Sequence, residues 1–330
     1  MRYSNDHEII RELNSKIHCS FEYVMENNKC IKLSLNDESK SIFSGLIRHY
    51  SATEKMEILE LISLLVFLEE LDLRKNLLGK IPPSFQNLVN LKKLNLGSNN
   101  LTEFPAFIEK CRKLEFLFLG CNQISKINNT LFYLSELKSL HLHKNPIQHL
   151  PDEFQELGNL EIAHFYLSMI KEYPMSLFQC LNLKSISFGF NNFNYIPREI
   201  ENLKELNYFT IICTNIKTLP DELCSLNKMI AMRLFKNKIE YLPENIGQLI
   251  NLEQISLYQN NIKSVPKSFN KLTKLQLLNL AKNCFERVPL EINELNSLEW
   301  LGFYDNPLIG QIEKSKKYKL THSKEDLWLD

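Results

Sequence analysis

The sequence lacks an excess of either charge, since 39 Lys and Arg balance 39 Asp and Glu. The broad positive field that draws a protein to phosphate backbones is missing, so nucleic acid is not the expected partner. A membrane-length apolar run is missing too. The most apolar stretch, ILELISLLVFL from Ile58 to Leu68, carries Glu60 and is too short to cross a bilayer. The opening MRYSNDHEIIRELNS has no apolar core of the kind a secretory signal needs, so the expectation is a cytoplasmic protein. The 8 cysteines lack both the C-x-x-C pairs of zinc modules and the C-x-C clusters of disulfide caps, which favours a reducing compartment. Cys111 and Cys180 stand where equivalent stretches such as NLVNL and NLKEL carry leucine, so they read as small buried apolar residues. Cys19 and Cys30 are the one pair considered for a bridge across the N-terminal region. The sequons at Asn100 and Asn128 read as chance in such a compartment. No phosphate loop and no nucleophile paired with a base stand outside the repeated part of the chain, so neither a catalytic residue nor a cofactor is expected.

What the sequence has instead is repetition. The segments LEELDLRKNLL, LKKLNLGSNNL, LEFLFLGCNQI and LKSLHLHKNPI align, and units begin at Leu68, Leu91, Leu114, Leu137, Leu160, Leu183, Leu206, Met229, Leu252, Leu275 and Leu298. Each step is 23 residues (91 minus 68, and so on), giving eleven units. The L-x-L core alternates inward and outward, the pattern of a strand with one buried face. An asparagine follows where the chain turns inward and backbone groups lose ladder partners, so its amide is expected to donate to carbonyls of adjacent coils. Nine units keep it, as Asn76, Asn99, Asn122, Asn145, Asn191, Asn237, Asn260, Asn283 and Asn306, while Ser168 and Thr214 replace it and still offer a donor. A proline, as at Pro82, Pro105 or Pro151, presets φ before a short helical turn; Asn128 departs from that pattern. Three residues further on stand apolar residues such as Phe85, Phe154, Ile200, Ile246 and Phe269, expected to pack beneath the sheet.

The pattern L-x-x-L-x-L-x-x-N-x-L, followed by an apolar-Pro pair and x-x-I/F/L-x-x-L, resembles the leucine-rich repeat of the LPxxI subtype. The resemblance covers about 240 residues, Leu68 to Leu308, and implies an α/β solenoid, a horseshoe with a concave parallel β-sheet and short convex helical turns. The organisation read from it is a helical N-terminal cap over 1–29, an irregular first repeat with a helix over 30–67, eleven repeats over 68–308 and a C-terminal cap over 309–330. Ser4, Asn5 and Asp6 are helix-capping candidates before Ile9, Ile10, Leu13 and Ile17. Ile309, Ile312, Tyr318, Leu320, Leu327 and Trp328 are the apolar residues expected to seal the other end.

Function belongs to the positions that the repeat leaves free, the outward third, fifth, seventh and eighth residues of each unit. One group there is Phe116, Phe118, His141, His143, Ile162, His164 and Tyr166. A second is Tyr208, Ile212, Phe235 and Tyr258, with Arg233 and Lys236 among them; Trp300 and Tyr304 form a third. Ser185, Ser187 and Gly189 make a low strip edged by Phe190. Contiguous exposed aromatics beside cations have the composition of binding hot spots. Eleven strands span about 48 Å, a length suited to a protein or an extended peptide. The resemblance likewise implies a non-catalytic protein-recognition module. Two alternatives stay open: a recruitment or regulatory role in an enzyme complex, such as ubiquitin ligase recognition, and a metal centre at His141, His143 and His164. The adjacent strands bring those imidazoles within reach of one ion, although no carboxylate stands beside them. His149, just before Leu150-Pro151, is expected to face away from the trio.

Overall fold

The computed structural model describes residues 3–17, 20–36, 45–308 and 319–321. The chain divides into two compact units, Met1–Cys180 and Leu181–Asp330. Among the described residues no helix is long and apolar enough to cross a membrane.

The first unit opens with α1 (Asp6–Lys16), whose start is fixed by Asn5: its Oδ1 accepts the Glu8 N–H at 3.1 Å. Ser4 donates to the Glu8 carboxylate from both N (2.8 Å) and Oγ (2.7 Å), which lowers the Glu8 pKa. Ile9, Ile10 and Leu13 form the buried stripe of this helix. Asp6 is buried with them and accepts the Cys30 N–H at 2.8 Å, tying α1 to β2 (Lys29–Ser34). The N-terminal segment is not helical alone. β1 (Glu22–Glu26) pairs antiparallel with β2. Asn27 and Asn28 make that hairpin, with φ of 48° and 63°, a left-handed pair that asparagine tolerates better than most residues. Cys19 lies outside the described residues, and Cys30 is a buried thiol whose pKa burial pushes up to about 12. The segment before the first full repeat supplies α2 (Ala52–Ile62), started by a reciprocal pair: Ser51 Oγ accepts from Glu54 N, and the Glu54 carboxylate accepts from Ser51 N.

Parallel strands then follow at the repeat interval: β3 (Glu70–Asp72), β4 (Lys93–Asn95), β5 (Phe116–Phe118), β6 (Ser139–His141) and β7 (Ile162–His164). Their register has no slip. Leu71 faces Leu94, then Leu117, Leu140 and Ala163, all buried. The second unit repeats the arrangement in β8 (Ser185–Ser187), β9 (Tyr208–Thr210), β10 (Ala231–Arg233), β11 (Gln254–Ser256), β12 (Leu277–Asn279) and β13 (Trp300–Gly302). β14 (Lys319–Thr321) adds a last parallel strand beside β13. Ile309, Ile312, Tyr318, Leu327 and Trp328, named for a C-terminal cap, lie outside the described residues, and only the backbone placement of Leu320 is described.

Across from the strands run short 3₁₀ segments, such as Pro83–Asn87 and Arg198–Asn202, with Pro82 and Pro197 at their N-caps at φ near −65°. Phe85, Phe154, Ile200, Ile246 and Phe269 are fully buried between these turns and the sheet. Each such side chain contributes about 1.5–3 kcal/mol relative to exposure. Cys111 and Cys180 are buried in the same layer, and their thiols turn to the carbonyls of Leu88 (3.4 Å) and Phe154 (3.1 Å).

The asparagine ladder binds coil to coil in both directions. Asn145 Nδ2 donates to Leu142 O of its own coil and Leu119 O of the preceding one, both at 2.9 Å. Its Oδ1 accepts the Ile124 N–H at 3.0 Å. Asn237, Asn260 and Asn283 repeat the two donations (2.8–3.0 Å). The residue before each ladder position is left-handed in every repeat, from Lys75 (φ 64°) through Phe190 (φ 61°) to Asp305 (φ 56°), and none of them is glycine. The L side chains there are strained by about 1 kcal/mol each, a cost that the adjoining amide bonds offset. The two replacements do not act alike, contrary to the sequence expectation. Thr214 Oγ1 donates to Asn237 Oδ1 rather than to a carbonyl, whereas the buried Ser168 Oγ has no partner. Serine is too short to reach both carbonyls, and Ile147 N turns to Asn145 O of its own coil instead.

Asn145→Ala should therefore destabilise the protein by about 2–4 kcal/mol, since it leaves buried backbone groups unpaired. Ser168→Asn should stabilise it by about 1 kcal/mol by completing the ladder. Urea melts of both variants check this, and a lower midpoint for Ser168→Asn than for the wild type would refute the ladder account.

Candidate functional site: the outward sheet faces

The outward positions of β5, β6 and β7 bring the first group of residues into one ring cluster. Adjacent parallel strands set identical repeat positions side by side, so Phe118 lies opposite His141, and His141 opposite His164. Phe118 stacks on His141 with ring centroids 5.1 Å apart, and His141 meets His164 edge to face at 4.9 Å. His143 stacks on Tyr166 at 4.5 Å and takes the edge of Phe118 at 5.2 Å. Phe116 sits 5.4 Å from His141. Ile162, in register with Ser139, is half-buried; Leu167 is 38% exposed at the same repeat position as Phe190, which the sequence reading names while leaving Leu167 out. Gly120 is required beneath the cluster, because a Cβ there would lie 2.7 Å from the His143 ring.

Packing makes these imidazoles poor bases. Burial, aided by the neighbouring His164 and His143, lowers the His141 pKa to about 3. Burial also lowers His143 to about 4, and lowers His164. His141 Nε2 is 2.8 Å from Ser139 Oγ, whereas the buried His143 Nδ1 has no partner. The imidazoles meet ring to ring, and among the described residues no group of three His, Cys, Asp or Glu is arranged to hold a metal ion. The metal centre at His141, His143 and His164, an alternative that the sequence leaves open, is not formed among the described residues, where the three imidazoles pack against aromatic neighbours. His149 is exposed on its connecting segment, away from the trio.

Beside the rings lies a charged depression of about 410 Å³ that the sequence reading did not single out, lined by Lys32, Glu70, Asp72, Arg74, Lys93 and Phe116 among others. Glu70 accepts from Lys93 at 2.7 Å, with Lys32 at 3.6 Å, which lowers the Glu70 pKa; Arg74 pairs with Asp72 at 2.8 Å. The signal was present at the outward positions of the first repeats, where charges of both signs alternate.

In the second unit the outward face is more open. Phe190 is 43% and Tyr208 49% exposed. Tyr208 stands out because its partners in register on either side, Ser185 and Ala231, are small. Ile212 lies over Gly189, whose added Cβ would meet Ile212 Cγ1 at 2.3 Å, so the low strip that includes Ser187 is covered. Lys236 is exposed and Arg233 half-buried. Tyr258 and Tyr304 approach to 6.3 Å, with the Lys282 ammonium 5.2 Å from the Tyr258 ring; the outward residues read from the sequence do not include Lys282. Three outward residues are less open than their positions suggest: His143 (7% exposed), Phe235 (8%) and Trp300 (7%) are buried. Large neighbours on adjacent strands lie against such rings, as Tyr166 does on His143.

The histidine cluster carries a pH dependence whose sign is fixed. An unfolded imidazole titrates near its ordinary value of about 6.5, whereas folded His141 and His143 do so at about 3 and about 4. Between those values the unfolded chain binds more protons, so falling pH favours unfolding. The contribution is complete above about 6.5 and is lost progressively toward pH 4 and below. The melting temperature should fall over that window, and a His141→Phe, His164→Phe variant should show a flatter slope. Equal slopes, measured by circular dichroism, would reject buried neutral imidazoles.

The Leucine rich repeat family model matches residues 67–120 and 112–162. Among curated proteins, none matches the chain in sequence. Among solved structures, a leucine-rich repeat protein of Leptospira interrogans is 27% identical, with 76% of each chain covered and a TM-score of 0.56. An internalin of Listeria monocytogenes shares the fold at 21% identity and TM-score 0.70, over 90% of this chain and 82% of its own. The plant peptide hormone receptor RGFR1, solved in complex with RGF2, is 26% identical with TM-score 0.66. This chain spans only 40% of that receptor and is itself covered over 73%. The matched repeats, the unbroken 23-residue period from Leu68 to Leu298 and the stacked parallel strands make the chain a leucine-rich repeat protein.

Proposed function

We propose that the chain is a non-catalytic recognition module that binds a protein or an extended peptide on its outward sheet faces. The observation that carries this reading is the exposed Phe190 and Tyr208 beside Lys236 and Arg233, with the Phe116 to Tyr166 ring cluster as a second aromatic surface. Single exposed apolar residues are ordinary, but rings aligned by strand register form contiguous patches, and these mark binding surfaces. The receptor solved with RGF2 is a relative whose ligand supports a peptide or protein partner. The rigid sheet favours this role, because residues ordered by two flanking strands lose little freedom on docking. A recruitment role in an enzyme complex is the same chemistry applied to a larger assembly. The cytoplasmic location expected from the sequence belongs to the same proposal.

Tyr208→Ala and Phe118→Ala test the proposal. Affinity capture from lysate, compared by quantitative mass spectrometry, should return a partner with the wild type that at least one variant retains about tenfold less well. Melting temperature should stay nearly unchanged for Tyr208→Ala. Identical capture by wild type and both variants would remove the outward faces from the binding site.

A further inference from the structure

The charged depression of the first unit has three carboxylates and three cations in its lining: Glu22, Glu70 and Asp72 against Lys32, Lys93 and Arg74. All but one of them are already engaged. Glu70 meets Lys93 at 2.7 Å and Lys32 at 3.6 Å, and Arg74 meets Asp72 at 2.8 Å. An anion would have to break one of these pairs to find a counter-ion, and a cation would find only the exposed Glu22 among the described residues. A hydroxyl group needs no free charge. It donates to one atom and accepts at another, and an ammonium or a carboxylate held in a pair keeps positions for further hydrogen bonds. Asn95 adds a neutral donor to the same lining: its Oδ1 accepts the Gly97 N–H at 3.1 Å, and its NH2 group has no partner among the described residues.

Strand register gives this polar lining an apolar end. Lys32, Glu70, Lys93 and Phe116 lie opposite one another in turn on β2, β3, β4 and β5, so the row ends on the half-buried Phe116 ring. Four adjacent strands make that row about 14 Å long. The volume of about 410 Å³ falls within the roughly 300–1,000 Å³ of small-molecule sites. A pyranose has the matching chemistry, a flat face of C–H groups for an aromatic ring and a rim of hydroxyls for intermixed donors and acceptors. A nucleobase is the other neutral ring that suits Phe116, but its edge has a fixed order of donors and acceptors, and no second aromatic ring lines the depression to sandwich it.

The geometry points to a binding site for a neutral saccharide of disaccharide length, a ligand separate from the protein or peptide partner. One ring stacks on Phe116 with its hydroxyls on Asn95, Lys93 and Glu70, and the second runs toward Lys32 and Glu22. The test titrates the full chain with maltose, cellobiose and lactose by isothermal titration calorimetry and saturation-transfer NMR. At least one of them should bind saturably in the millimolar range, about tenfold more tightly than sorbitol, which has hydroxyls but no flat ring face. Phe116→Ala should weaken that binding about tenfold and Phe116→Tyr should retain it, while Asn95→Ala should weaken it about threefold. The two alanine variants alter different strands, so a folding defect in one, seen by circular dichroism, leaves the other to decide. The longer glucose or galactose oligomer of the disaccharide that binds separates two sources of the same chemistry: equal or tighter binding assigns the site to the end of a glycan chain, and loss of binding assigns it to a free disaccharide. No saturable binding by any of the three disaccharides would overturn the inference. Unchanged affinity in the folded variants would do so as well, and so would tighter binding of glucuronate, glucosamine or adenosine than of every neutral disaccharide. The peptide reading is tested separately, by lysate capture with Tyr208→Ala, and stands or falls without these titrations.

Discussion

The structure depends on side-chain amide hydrogen bonds that cross from one coil to the next. A parallel strand of three residues makes few ladder bonds, too few to fix register by itself. The ladder asparagine adds donations to two carbonyls, one in its own coil and one in the coil before, and accepts a backbone N–H from that preceding coil. A coil one residue longer or shorter would lose the two contacts to the preceding coil. The constant length of the repeats and the left-handed backbone before every ladder position are two sides of that requirement.

Because register is fixed, equivalent positions line up across each unit, and the outward residues become surfaces rather than isolated side chains. Two different surfaces result. Around β6 the aligned residues are Phe118, His141 and His164, which bury one another and suppress the basicity of the imidazoles. Around β9 the aligned residues are Ser185, Tyr208 and Ala231, and the one large ring among small neighbours is left half in solvent. The same arithmetic of alignment thus yields a self-packed patch in one place and an anchor in another. Charge follows it as well: Glu70 meets Lys93 across β3 and β4.

The repeats were legible because each consensus position has a single physical task. Leu71, Leu94, Leu117 and Leu140 recur at a fixed interval and are all buried. What could not be read were departures and neighbours. Ser168 and Thr214 looked interchangeable as donors, but reach decides which atom a hydroxyl meets. The hairpin of β1 and β2 lies before the repeats begin, so no period announces it, and only the Asn27-Asn28 pair marks the turn.

The sequence by itself determined the stacked-coil architecture, the strand and ladder positions and which side chains face outward, because period and polarity depend on each residue alone. Only the tertiary structure decided how open those outward side chains are. His143, Phe235 and Trp300 occupy outward positions yet are buried, while Phe190 and Tyr208 are not. Exposure is a property of neighbours on adjacent strands, which lie 23 residues away in the chain, and of the volumes those neighbours happen to have.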